Sequence, residues 1–307
     1  MDTAYPLFLV GFGAFYKGVY MSNFFLNGIG IFIAMSLLLL GLSFSEANDS
    51  GIDTRKLFTK EIKNNFDAYE DSLCFSNHGF KGHTGYNPYL RILGQIADSR
   101  GACQGMVGVA SAFKSHVIFR PKKKKMSKTT LRRRIMRAVR LHHNDCQGTI
   151  YIDGYTSLKN LCQEQSDLLR QRSLTYNVTL AITEILPKSG TFFWDGPLSH
   201  PEKLNRHLLH QLTSIYQDLN KGQYPLMLVH NHVTMVTGMS VERDTQGYIR
   251  KLILKHYDPN VVMSSAQDLF DRTYSFSRDG MEISGTLIWN ITPRSLTHLG
   301  CLLVPRD

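Results

Sequence analysis

The rhythm of apolar positions changes as the chain proceeds. Phe24 to Leu42 reads FFLNGIGIFIAMSLLLLGL, apolar in the main and without a charge. After a polar stretch the apolar residues become periodic. Met106, Val107, Ala110 and Phe113 recur at three- and four-residue steps, the spacing of one helix face, and predict a helix from about Cys103 to Val117. Leu158, Leu161, Cys162, Leu168 and Leu169 predict a second over Ser157 to Arg172. A third runs from Pro201 to Leu219, with Pro201 at a first-turn position. The mixed-charge stretch 48–72 predicts a shorter helix around Thr59 to Tyr69. Residues 76–89 are rich in Gly, Asn and His and read as loop.

Beyond Tyr224 the pattern becomes strand-like. Tyr224 to Gly238 and Tyr248 to Asp258 are β-rich, and the turn-forming ERDTQG between them predicts a hairpin. In the second run Ile249, Ile253 and Tyr257 share a face with Lys251 and Lys255, while Leu252 and Leu254 point the other way. Asp279-Gly280 predicts a further hairpin. Helices first and an antiparallel sheet afterwards give the α+β class.

The apolar run Phe24 to Leu42 leaves through Ser45 and Ala47, the two small positions of a signal-peptidase site. Residues 1–47 are expected to be a signal peptide, with Met21 an alternative start, or an uncleaved membrane anchor, since the run is near bilayer-spanning length. Lys17 alone is basic ahead of it. Either outcome makes the remainder secreted or periplasmic, or held at an outer face. Residues 48–90 read as an N-terminal extension and a candidate pro-segment, and residues 91–307 as the main domain with a basic insertion at 120–140.

Composition adds two facts. The 307 residues carry 35 Lys+Arg against 25 Asp+Glu, a formal charge of +10, in a globular balance of 43% hydrophobic and 20% charged residues. That excludes global disorder and, with one long apolar run, a polytopic membrane protein. The five cysteines are Cys74, Cys103, Cys146, Cys162 and Cys301. An odd number in an exported chain leaves one thiol unpaired unless a bridge forms between molecules. Any four pair in three ways, among which spacing does not choose.

One cysteine has a suggestive setting. Cys103 follows Gly101-Ala102 at the start of the first periodic helix, where unpaired N–H groups and the helix dipole favour a thiolate. Gly101, Ala102 and Gly105 leave room for a substrate backbone. A thiol nucleophile needs a base, and the base an orienting partner. His232 opens the run HVTMVTG, and Asp258 closes the neighbouring strand, where a hairpin brings it toward the start of the first. His230, two residues earlier, is a rival that shares the face of His232 if both lie on a strand. Each residue also has a plain structural role: small core group, core histidine, and turn-former before Pro259.

Gly-Ala-Cys103-Gln-Gly-Met, His232-Val-Thr-Met-Val-Thr-Gly238 and Tyr257-Asp258-Pro-Asn260 together resemble the papain-like cysteine peptidases, most nearly the YopT-type virulence peptidases of bacteria. The Cys-to-His gap, 232 − 103 = 129, suits that family. The resemblance implies a papain-like fold, with the nucleophile in an N-terminal helical part and the histidine in a C-terminal antiparallel sheet. It implies Cys103 as nucleophile, His232 as base and acid, Asp258 as orienter, a protein or peptide substrate, and no cofactor. The family's oxyanion glutamine, six residues before the cysteine, is here Ala97. Gln95 is the candidate replacement, delivered by a bulged loop; otherwise the Cys103 N–H and another donor must serve. An acyltransferase or transglutaminase-like enzyme would use the same triad, and a secreted non-enzymatic binding module is the alternative of another class.

Pro121 to Arg140 holds four consecutive lysines and three consecutive arginines, with Leu131, Ile135, Met136 and Val139 interleaved in its second half. It predicts a basic loop and an amphipathic basic helix. A solvated insertion, or an anionic membrane surface meeting segment 122–140, suits it better than nucleic acid, for which aromatic interleaving is missing. His78, His83, His142 and His143 match no zinc spacing, so no metal is expected. Asn177-Val-Thr179 and Asn290-Ile-Thr292 fit a glycosylation sequon.

Overall fold

A computed structural model describes residues 53–80, 91–92, 94–95, 101–180, 201–230, 232–265, 268–277 and 282–293. The apolar segment 24–42, the tip of the Asp279-Gly280 hairpin, His83 and Cys301 lie outside the described residues. Helices and an antiparallel sheet form one α+β body from residue 51 onward. Four helices are described: α1 (Cys103–His116), α2 (Lys128–His143), α3 (Leu158–Leu180) and α4 (Pro201–Asn220). The main sheet holds β4 (Leu226–Val229), β5 (His232–Arg243), β6 (Ile249–Tyr257), β7 (Phe270–Phe276), β8 (Ile283–Ser284) and β9 (Ile288–Asn290) in the order β8-β7-β6-β5-β4-β9. A short β1 (Ile62–Lys63) joins β5. β2 (Val117–Arg120) and β3 (Ile150–Asp153) form a separate parallel pair.

The sheet is covered on both faces, and the two-residue strand period decides which side chain meets which helix. On β4, Leu226 and Leu228 point toward the core shared with Met106, Val107 and Phe113 of α1. Met227 and Val229 point toward Leu208, Leu212 and Ile215 of α4. α1 is buried along its whole length from Cys103 to Phe113, because α3 covers the side that the sheet does not. Their approach requires Gly105: a Cβ there would stand 1.9 Å from the Ser173 carbonyl oxygen.

Several expectations need correction. Residues 59–69 are not helical; they run extended and contribute β1. Phe58 packs on the α4 side of the sheet and Phe66 on the α1 side. No single helix face can serve both. Tyr224 to Gly238 is two strands, broken by His230 in a left-handed turn (φ 52°). On β6 Leu252 and Leu254 face the α4 side and Tyr257 the α1 side, but Ile249 joins Leu252 and Leu254, because the register with β5 skips Arg250. The sequon asparagines have internal partners: Asn177 Oδ1 accepts the Gly105 N–H, and buried Asn290 donates to Ser214 and Asp218.

The extension carries core residues, Leu73, Phe75 and Phe80 among them. A disulfide joins its Cys74 to Cys162 of α3. Cys146 is disulfide-bonded as well, and Cys103 is the free thiol among the described residues.

Candidate functional site

Cys103 is the first residue of α1, 7% exposed. Its helix lacks a side-chain cap from its own N-cap residue, Ala102. The cap comes from elsewhere: Asn77 Oδ1 accepts the Ala102 N–H across twenty-five residues of chain. Gly101 turns into α1 at φ 83°, and a Cβ there would collide with the Asn77 amide, 2.3 Å from Nδ2. Asn77 is itself buried, 4% exposed.

The sheet supplies the second group. β4 turns back into β5 at His230, which makes His232 the first residue of β5, paired with Val229. The next N–H along, of Val233, donates to Cys103 Sγ at 3.4 Å. The sulfur is therefore fixed against the strand that carries the imidazole. β6 lies antiparallel to β5, with Tyr257 opposite Met235, so Asp258 emerges beside the start of β5. His232 Nε2 meets Asp258 Oδ1 at 2.7 Å. This leaves Nδ1 as the ring nitrogen not held by the carboxylate, and the Cys103 side chain is close enough to His232 to raise its affinity for a proton.

Asn260 completes the arrangement. Its N–H donates to Asp258 Oδ1 at 2.8 Å, its Nδ2 stands 3.4 Å from His232 Nε2, and its Oδ1 accepts from Asn77 Nδ2 at 3.0 Å. One amide, Asn77, thus spans the start of the cysteine helix and the loop that holds the histidine's partner.

Charges follow from this geometry. Burial works against a proton on His232. Its hydrogen bond to Asp258, then the nearby Cys103 sulfur and the Asp258 charge, outweigh it and push the imidazole up to about 9. Burial would raise Asp258, but its bonds to His232 and to the Asn260 N–H hold it below the ordinary carboxylate range. The pair is a carboxylate kept ionised beside an imidazole that readily carries a proton.

Cys103, His232 and Asp258, separated by up to 155 residues in sequence (258 − 103), meet at one point. Gln95 does not join them. It is exposed, and among the described residues no hydrogen bond links it to the three. His230 is exposed and held in its turn, so it does not share the face of His232. Of the histidines weighed for metal, His142 and His143 lie in the interior near Tyr176 and His78 is exposed. Asn77 and Asn260 belong to the site without having been assigned a role from sequence. Asn260 was visible as part of a motif. Asn77 carries no local signal, since its burial depends on chain arriving from both Ala102 and Asn260.

No family model, no curated protein and no solved structure matches this chain.

Proposed function

We propose that the chain is an exported cysteine peptidase of papain-like build that hydrolyses peptide bonds through Cys103, His232 and Asp258. The observation that carries the proposal is the convergence of a helix-start sulfur, a strand-borne imidazole and an ionised carboxylate, the imidazole hydrogen-bonded to the carboxylate and the sulfur held by the next N–H along the histidine's strand. Export is supported by the Cys74–Cys162 disulfide, a bond that persists in oxidising compartments.

His232 takes the Cys103 proton as the sulfur attacks the substrate carbonyl and an S–C bond forms. The oxyanion is met at the start of α1, where among the described residues the Cys103 N–H has no acceptor. His232 then gives its proton to the leaving amine as the C–N bond breaks. Water, deprotonated by His232, attacks the thioester; the C–S bond breaks and the proton returns to sulfur. Asp258 keeps the ring oriented and balances its charge. Asn77 and Asn260 hold the two loops at fixed separation.

The test uses two readouts. In the folded protein iodoacetamide should alkylate Cys103, and His232→Ala should slow that reaction at least tenfold. Incubated with an unstructured protein such as casein, the chain should yield new N-termini, and Cys103→Ala should yield none. A Cys103 whose alkylation is indifferent to His232→Ala, together with casein left intact, overturns the proposal.

A further inference from the structure

The opposite end of α1 presents a different chemistry. α1 spans 14 residues and therefore rises about 20 Å, and β2 begins directly where it ends. The β2–β3 pair and the loop that leaves β2 lie at this end, away from Cys103. From residue 121 to 143 there are ten Lys and Arg and no Asp or Glu. α2 turns Leu131, Ile135, Ala138 and Leu141 inward and its cations outward, capped at the start by Ser127. Lys122 and Lys125 pair with Asp153 and Glu164. Among the described residues the exposed Lys123, Lys124, Lys128, Arg132, Arg133 and Arg140 have no acidic partner.

This end carries more than a solvated helix face, because two apolar side chains stand exposed among its cations. Ile118 and Tyr151 are register partners on β2 and β3, 50% and 40% exposed. Cations surround the pair: Arg120 stacks 4.5 Å from the Tyr151 ring, and Arg134 donates to the Tyr151 carbonyl oxygen at 3.5 Å.

We propose that this end of the molecule docks on an anionic lipid surface, with Ile118 and Tyr151 entering the headgroup layer and the exposed Lys123 and Lys124, on the loop that leaves β2, receiving lipid phosphates. Basic groups rimming an aliphatic–aromatic pair are complementary to such a surface in both charge and polarity. Nucleic acid fits less well: base stacking needs open aromatic faces, and Arg120 already covers that of Tyr151. The inference uses no residue of the peptidase site and stands or falls apart from it.

Full-length protein is titrated with vesicles of phosphatidylcholine alone and of phosphatidylcholine with a minority of phosphatidylglycerol. The readout is the anionic-over-neutral preference, which any apolar segment of the chain leaves unaffected. Preference should be strong at low salt and fade at high salt. Lys123→Gln with Lys124→Gln, both exposed positions, should weaken anionic binding about ten- to thirtyfold, from the contribution expected of each juxtamembrane cation. Ile118→Ser should weaken it several-fold at either salt. Equal binding to both vesicles, no effect of the lysine pair, or tight binding of single-stranded RNA without vesicle binding would each overturn the proposal. Casein cleavage and Cys103 alkylation should stay unchanged in these variants.

Discussion

Two histidines in this molecule sit between a sulfur or hydroxyl on α1 and an oxygen acceptor or donor, and they have opposite properties. His232 stands between Cys103 and Asp258. His142 stands between Ser111, 2.7 Å from its Nε2, and Tyr176, 2.9 Å from its Nδ1. The first faces a carboxylate and is pushed up to about 9. The second has no carboxylate hydrogen-bonded to it; burial and the charges of His116 and His143 push it down to about 3, and it holds a neutral ring. Order of groups is therefore not what makes an imidazole useful for proton transfer. A fixed negative charge is, and the Ser111–His142–Tyr176 array has none; Ser111 and Tyr176 are buried, and Ser111 also donates to the Tyr224 carbonyl oxygen.

The sharpest test removes the carboxylate from one array and the phenol from the other. Asp258→Asn should lower peptide hydrolysis by roughly 10²–10⁴-fold, the range attributed to positioned acid–base catalysis. Tyr176→Phe should leave turnover unchanged and instead cost about 1–3 kcal/mol in chemical denaturation, because a buried ring nitrogen loses its partner. Equal losses of turnover would erase the distinction.

The pH dependence of stability should show both arrays with opposite signs. His232 has a raised folded pKa, so its contribution is complete below about 6.5 and is lost as pH climbs through about 9. His142 has a lowered one, so its contribution is complete above about 6.5 and is lost as pH falls toward about 3. The acid arm is shared with His116, His143, His207 and His256, all lowered chiefly by burial. Denaturation midpoints should decline on both sides of near-neutral pH. His232→Ala should flatten the alkaline arm, and His142→Gln should shorten the acid one by a few kcal/mol.

The smallest expected effect concerns Asn77. Asn77→Asp keeps an acceptor for the Ala102 N–H but cannot donate to Asn260. It should slow Cys103 alkylation several-fold while Asn77→Ala, which loses both bonds, slows it further and costs about 1–2 kcal/mol. If Asn77→Asp and Asn77→Ala both alkylate at the wild-type rate while His232→Ala does not, Asn77 is not a positioning residue.

Much of this could be read from sequence where one stripe meets one partner. α1, α2 and α4 each bury a single face or an entire surface; periodicity places the ends of α1 and α4 within a residue, and α2 follows without bounds from the apolar residues interleaved in the basic stretch. The 59–69 segment failed because Phe58, Ile62 and Phe66 mimic a helical spacing of four while serving opposite faces of a sheet. At the site, Cys103, His232 and Asp258 were legible because each borders a regular element whose pairing could be anticipated. Asn77 was not, for it lies in a loop and acquires its partners from 25 and 183 residues away. His230 was misjudged because the β-rich composition of residues 224–238 conceals a turn that a histidine in left-handed conformation accommodates.

Cys74 precedes Asn77 by three residues, and its bond to Cys162 anchors that loop to α3. A reducing solvent would free the anchor and with it the amide that keeps helix and hairpin loop in register, while every atom of the thiol, ring and carboxylate remained chemically intact. Alignment of the candidate site is thus coupled to the electron balance of its surroundings, and a chain in a reducing milieu would lack the clasp that holds it together.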